Sequence, residues 1–359
     1  MKILFLGDVN PGWANTAQMR LQVVRGLGHD VRPICIRPYE RFGGRYGGAV
    51  FRKLLCGPPL WRYNRDVMRA AREFRPDVLW AEKARWLLPE TLQQIKRVCG
   101  AKLVHYTVDP ALTFHQSRHF LKAIPCYDLM ITNKRYEREL YHQAGAQELA
   151  FIHSAFDEKT HAPVELTLLE KHHYNSDAIF IGSYAQGRGR YLCPIAEAGM
   201  DLALWGSGWL ERCSTANLRQ HVRGRTVTGQ EYAKALCGSK IGLGLLSPLV
   251  PDRETTRSVE IPATGTFLLA ERTEEHCELF EEHREAEFFD CKDELIEKLK
   301  FYLSHSSERL RISKAGRERC LRSGYSYQEQ LKDLFQRVQN LGANTKLQLP
   351  SRTKYQLVP

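Results

Sequence analysis

The stretch "RSVEIPATGTFLLAE", residues 257–271, decides the reading of this 359-residue chain. Arg257 and Glu260 stand one helical turn apart, followed by Pro-Ala-Thr-Gly and then an apolar run suited to a buried strand. Pro262 is tolerated in a first turn, where amide donors lack partners anyway, and Gly265 is a stop signal. A short helix is expected between two strands, with its charged start at the end of one of them. An acid there either accepts the vicinal hydroxyls of a ring or caps its own helix. The arginine either faces phosphate oxygens or pairs with that acid.

Upstream, strand and helix signals alternate. "KILFLG" (2–7), "HDVRPICI" (29–36), "RPDVLWAE" (75–82), "AKLVHYTVD" (101–109), "YDLMITN" (127–133) and "AFIHSA" (150–155) read as strands. Helical patterns at 16–28, 89–100 and 134–145 separate them. Residues 157–176 are polar and read as a linker. The alternation resumes with strands at 178–184, 202–206, 225–229 and 240–246, the quoted stretch, the strand region 285–293, and one helical run from Glu294 to about Ser323. Strands alternating with helices mean parallel sheets covered on both faces, so two doubly wound α/β domains are expected. Their boundaries are set at 1–170 and 175–325, with 326–359 as a helix packing back toward the first domain and a flexible tail.

Hydrophobic residues make up 43% and charged residues 26%, a globular balance. No apolar run reaches the roughly 20 residues that span a bilayer. The ten cysteines form no CxxC and no close pair, so neither a zinc site nor a disulfide framework is expected. Packed, reduced thiols and a cytoplasmic protein follow. The net charge of +11 is uneven: residues 32–75 hold eleven Lys or Arg against three acids, with Tyr39, Phe42, Tyr46, Phe51, Trp61 and Tyr63 threaded between. This is either a solvated face or a surface for an anionic acceptor, an anionic membrane or nucleic acid.

Two facing domains create a cleft at the carboxyl ends of their strands, where ligands sit. In "FIGSYAQGRGR" (180–190), Gly182 and Ser183 end a strand, and Arg188 and Arg190 enter a helix. The pattern suits a diphosphate cradle or an ordinary glycine-rich turn. The turn at 7–12 lacks GxGxxG, which argues against a dinucleotide cofactor there. Asp109 closes a first-domain strand at its carboxyl end, His105 lies inside that strand as a core residue, and His115 and His119 stand i, i+4 without a third ligand in view.

From the quoted stretch through Leu321, the sequence resembles the C-terminal domain of the spore-maturation-type (CgeB-like) glycosyltransferases, a group similar to family 4 of the GT-B enzymes. The resemblance covers residues 178–330 and extends upstream through "YTVDP" and "YDLMITNK". It implies a GT-B fold, two Rossmann-like domains facing across a cleft, with an acceptor on the first and a nucleotide sugar on the second. By position Glu260 is similar to the second glutamate of the family's acidic pair, which holds the ribose. Asp252 stands where the first would, as a shorter acid. Ser183 and one of Arg188 and Arg190 fall on the diphosphate turn, and Gly206 and Trp209 on the strand end beside the base. Arg257, Glu260 and Gly265 belong to the same motif, and Asp109 is the expected base or acceptor clamp.

The expected activity is transfer of a sugar from a nucleoside-diphosphate donor to a hydroxyl acceptor with retention, needing no metal and no cofactor beyond the donor. The expected partners are that nucleotide sugar and an anionic or membrane-associated acceptor reached through residues 32–75, at the inner face of the membrane. Two other classes stay open: a non-catalytic nucleotide-sugar-binding protein of a polysaccharide pathway, and a nucleic-acid-modifying transferase, although no nucleic-acid module is present.

Overall fold

The computed structural model describes residues 1–10, 15–42, 55–113 and 117–341. Among them, one sheet is built from β1 (Lys2–Gly7), β2 (Asp30–Cys35), β3 (Val78–Glu82), β4 (Lys102–Thr107), β5 (Leu129–Thr132) and β6 (Leu149–Phe151). A second holds β7 (Ser176–Ile181), β8 (Leu202–Trp205), β9 (Val222–Gly224), β10 (Ser239–Gly244), β11 (Phe267–Glu271) and β12 (Glu287–Phe289). The orders are β2-β1-β3-β4-β5-β6 and β12-β11-β10-β7-β8-β9, and neighbouring strands run parallel.

Central strands read as unbroken apolar runs because helices cover both faces: Ile3–Leu6 and Val78–Ala81 are buried throughout. The edge strand β2 carries Pro33, paired with Phe5; a residue with no N–H to donate is tolerated at an edge. In both sheets the order reverses beside the first strand, between β1 and β3 and between β7 and β10. Those switch points open crevices at the carboxyl ends of the strands.

The last described helix, Tyr327–Asn340, returns to the first domain. Ser326 caps it by accepting from the Glu329 amide at 3.3 Å. Its apolar face of Tyr327, Leu331, Leu334, Phe335 and Val338 joins Ile3, Phe5 and Trp80 in one core. Beneath it Arg20 is fully buried, bonded through two nitrogens to Glu82 at 2.7 and 2.6 Å. The rings of Tyr106 and Tyr327 lie 4.5 and 5.1 Å from its guanidinium carbon, which lowers the cost of burying the charge.

Three expectations need correction. The strand placed at 225–229 lies earlier, at Val222–Gly224, on the sheet edge. The helical run expected from Glu294 to about Ser323 is two helices, Lys292–Ser304 and Ser306–Arg322, broken at His305. The polar 157–176 segment contains the helix Leu168–Tyr174, which buries no side chain. It is held by a reciprocal Thr167–Glu170 capping box and by Lys234, 2.6 Å from Glu170. The turn residues 11–14, the segment 43–54 of the basic region, His115 and the tail beyond 341 lie outside the described residues. All ten cysteines are free thiols, and no described helix is long and apolar enough to cross a membrane.

Candidate functional site

The ends of β7 and β8 meet through two glycines. A Cβ on Gly206, at φ +148°, would sit 2.1 Å from the Gly182 carbonyl oxygen, and one on Gly182 would meet the Phe180 ring at 2.8 Å. Trp209 is 1% exposed and donates its indole N–H to that same carbonyl at 2.8 Å. The sequence places Trp209 beside a base; the structure buries it, so it shapes the turn and has no open face for stacking. The Ser183 and Ser207 hydroxyls lie 2.9 Å apart at the surface of the turn.

Arg188 and Arg190, equivalent in the sequence, part here. Arg190 is exposed and bonded to Glu271 at 3.1 Å. Arg188 folds back, donating to the Ser183 carbonyl, with its guanidinium 5.0 Å from the Phe180 ring centre. Arg257, from the helix Arg257–Ala263, reaches the same ring at 5.3 Å and donates to the Leu245 carbonyl at 3.0 Å, just past β10. The Nε of each arginine is buried without a hydrogen-bond partner, and among the described residues no carboxylate pairs with either. Burial, then the neighbouring Arg257 charge, lowers the Arg188 pKa. An anion here would relieve both the desolvation and the repulsion of two cations, at the start of the helix Gly189–Glu197.

Glu260 is largely buried, 6% exposed. Its Oε2 accepts from the Tyr232 phenol at 2.7 Å, and its Oε1 lies 3.7 Å from His161 Nε2. The Asp157 amide donates to His161 Nδ1 at 2.9 Å, so the neutral ring carries its proton on Nε2, toward Glu260. A carboxylate this deep is retained because polar partners surround it. Arg257 does not pair with it; its contacts go to Leu245 and Phe180. Gly265, at φ +80°, closes the helix through its N–H to the Pro262 carbonyl at 2.8 Å, so its place is a helix stop and not a ligand contact.

Asp252 is committed across the domain boundary. Lys134, nearly buried, approaches it at 2.8 Å and the Tyr136 phenol donates to it at 3.0 Å. Glu254 acts likewise, accepting from the Ser154 amide at 2.8 Å and contacting His153 Nδ1 at 3.0 Å, while Arg135 meets Glu278 at 2.8 Å. Three acids of the second domain thus clasp the segments that follow β5 and β6.

At the first sheet's switch point the ends of β1, β3 and β4 surround a cavity of about 290 Å³. Its rim carries two ion pairs, Asp8–Arg37 and Asp109–Lys83, each at 2.5 Å. Lys83 adopts φ +48°, a strained left-handed conformation for a residue with a Cβ, where the chain leaves β3. Asp109 is positioned by its amide donating to Thr107 Oγ1 at 3.1 Å. The loop beyond hangs on fully buried Glu137, which accepts from the amides of Ala111, Leu112 and Thr113 at 3.1, 2.9 and 2.8 Å. Asn64 holds the cavity wall by donating to the Trp86 carbonyl at 2.8 Å. Trp86 Nε1 and both nitrogens of His105 are buried without partners. Burial pushes the His105 pKa down to about 3, so the ring is neutral. Sequence reasoning missed Lys83 and Trp86; the signal was "EKARW" (82–86), charge and aromatics directly after an apolar strand.

His119 is engaged elsewhere, its Nε2 2.9 Å from the Leu55 carbonyl. Among the described residues Glu282, His283 and Glu287 present three ligand atoms within 4.8 Å. Lys298 already lies 2.9 Å from both acids, and Arg272 bonds Glu282, so the cluster is neutralised by the protein itself.

Residues 188–336 match a family model described as Glycosyl transferase-like. No curated protein matches the chain in sequence. Among solved structures it is similar to HepE (Alr3699) of Anabaena in complex with UDP-glucose, at 15% identity and TM-score 0.62, over 94% of this chain and 100% of that one. It is also similar to sucrose-phosphate synthase of Thermosynechococcus elongatus, at 11% identity and TM-score 0.68, over 94% and 98%. A third is AviGT4, a glycosyltransferase involved in avilamycin A biosynthesis, at 14% identity and TM-score 0.58, over 95% and 98%. At these identities the likeness is one of fold. The architecture is GT-B, two Rossmann-like domains, and the family-model match falls on residues 188–336.

Proposed function

We propose that this protein is a glycosyltransferase that moves a sugar from a nucleoside-diphosphate donor to a hydroxyl acceptor, with retention of configuration. The observation that carries the reading is the Arg188–Arg257 couple on Phe180, beside the Gly182–Ser183 turn, with no carboxylate partner among the described residues. In this chemistry departure of the diphosphate leads, and charge placed in advance on the leaving oxygens lowers the barrier most. The two guanidiniums supply that charge without a metal. Glu260 Oε1, beside His161, is the acceptor atom offered to a ribose hydroxyl, and Asp109 serves as base or acceptor clamp on the first domain. HepE is seen with UDP-glucose in the same fold, which makes a UDP-sugar the first donor to try.

The protein works in the cytoplasm at an anionic membrane face. The support is the helix Pro58–Phe74, whose outer side carries exposed Arg62, Arg65, Arg69 and Arg72 behind Trp61, which is 70% exposed. A second reading, a nucleotide-sugar-binding protein without catalysis, is favoured by one observation: Asp252 is occupied by Lys134 and Tyr136.

The test is thermal unfolding with UDP, GDP, ADP, CDP and dTDP and their sugars, followed by a nucleotide-release assay. A ligand at 100 times its Kd adds about 2.7 kcal/mol of apparent stability. No shift with any of the five would end both readings. A shift without release, over a broad acceptor panel, leaves the second.

A further inference from the structure

The first-domain cavity has its own chemistry. We infer that it receives one uncharged sugar ring, and that the acceptor of transfer is the neutral end of a saccharide. The second half of this inference rests on the glycosyl-transfer reading; the first does not.

Four observations carry it. The volume, about 290 Å³, stands just below the range of small-molecule sites, roughly 300 to 1,000 Å³, and suits one ring rather than a chain. Among the described residues the lining charges cancel: Arg37, Lys83 and Arg85 stand against Asp8, Glu40 and Asp109, while Glu82 is neutralised by Arg20. A phosphate or carboxylate would meet as many acids as bases. The rim pairs Asp8–Arg37 and Asp109–Lys83 set an anionic acceptor beside a cationic donor. A hydroxyl can use both sides of such a pair, donating to one and accepting from the other, which an anion cannot.

The fourth observation concerns two side chains that line the cavity. Trp86 Nε1 can only donate, and neutral His105 offers one donor and one acceptor; all three nitrogens are buried without a partner. Buried polar groups without partners are rare in folded proteins and mark places that a water or ligand completes. A ring hydroxyl, which donates and accepts together, is the group that matches both kinds of nitrogen. The aromatic surfaces of Trp86, Tyr63 and Phe120 line the same cavity and suit the C–H face of a sugar.

The experiment is ligand-observed NMR and calorimetry on the full chain. The probes are methyl α- and β-glucoside, galactoside and mannoside, with glucose 1-phosphate and glucuronate as charged counterparts. At least one neutral glycoside binds saturably and more tightly than either charged probe. Trp86→Phe, which removes the indole donor and keeps an aromatic ring, and Lys83→Gln each weaken it at least tenfold. Arg188→Ala leaves it unchanged while weakening UDP. The inference is overturned if a charged probe binds better, if no neutral glycoside binds, or if glycoside binding survives both cavity variants. Nucleotide binding, measured in parallel, separates the two failures. Absence of binding by every nucleotide, with glycoside binding intact, ends the transfer reading and with it the second half of this inference, and leaves the first half standing; nucleotide binding with no glycoside bound ends this inference alone.

Discussion

Arg188 and Arg257 share the ring of Phe180, their guanidinium carbons 5.0 and 5.3 Å from its centre, with no carboxylate paired to either among the described residues. Arg188→Ala and Arg257→Ala should each weaken nucleoside-diphosphate binding by about 1.5–3 kcal/mol, the worth of one charge-assisted hydrogen bond. Arg190→Ala, whose partner is Glu271, should stay within a few-fold of wild type. Calorimetry with the best nucleotide decides. Equal losses at 188 and 190 would move the phosphate site.

Glu260 and Tyr232 make a second test. If Glu260 Oε1 holds a donor hydroxyl, Glu260→Gln lowers kcat/KM for the donor at least about tenfold, roughly 1.4 kcal/mol. Tyr232→Phe removes only the bond to Oε2 and should cost a few-fold. Two variants that lower Tm alike, with donor kinetics untouched, would reduce Glu260 to a packing role.

The clasp between the domains predicts a stability pattern. Asp252→Ala strands Lys134, whose side chain is only 5% exposed, and should cost about 3–5 kcal/mol in urea unfolding. The double variant Asp252→Leu with Lys134→Met removes both charges and should recover most of that loss. A double variant as unstable as the single one would locate the effect elsewhere.

His105 makes acid stability measurable. Its folded pKa is near 3, below the ordinary value of 6.5, because burial disfavours the charged ring. The unfolded chain therefore takes up the extra proton between those values, and the stability contributed above about pH 6.5 is lost as pH falls. The loss is about 1.4 kcal/mol per pH unit down to about pH 3. His276, also lowered by burial, adds a slope that a His105→Phe variant would share. The stability difference between the two proteins should change with pH at that rate; a flat difference would mean that His105 charges freely in the folded state.

The arginine face of the helix Pro58–Phe74 should draw the protein to anionic vesicles at low salt and release it as salt rises, since exposed charges are screened beyond about 8–10 Å. Replacing Arg62, Arg65, Arg69 and Arg72 with Gln should abolish co-sedimentation without altering nucleotide binding. Equal binding to neutral and anionic vesicles would point to Trp61 alone.

Apolar runs such as Ile3–Leu6 and Phe267–Ala270 announce buried parallel strands in the sequence, because a strand covered on both faces needs no polar alternation. β9 escaped because Val222–Gly224 is a short edge with partial burial. Arg188 and Arg190 look alike in sequence; Phe180 and Glu271, the latter 81 residues away, tell them apart. The depth of Glu260 was equally hidden, since Tyr232 and His161 come from separate segments. Lys83 is marked by its backbone conformation, which no composition or period records.

The helix Tyr327–Asn340 sets an order on the making of the protein. Until residues 327–340 leave the ribosome, Trp80, Phe5 and the buried Arg20–Glu82 pair lack their cover, although every strand beneath them has long been synthesised. The domain made first is therefore the one finished last. A chain interrupted after the second sheet would carry an apolar groove on its first domain, the kind of surface that chaperones hold and that aggregates seed from.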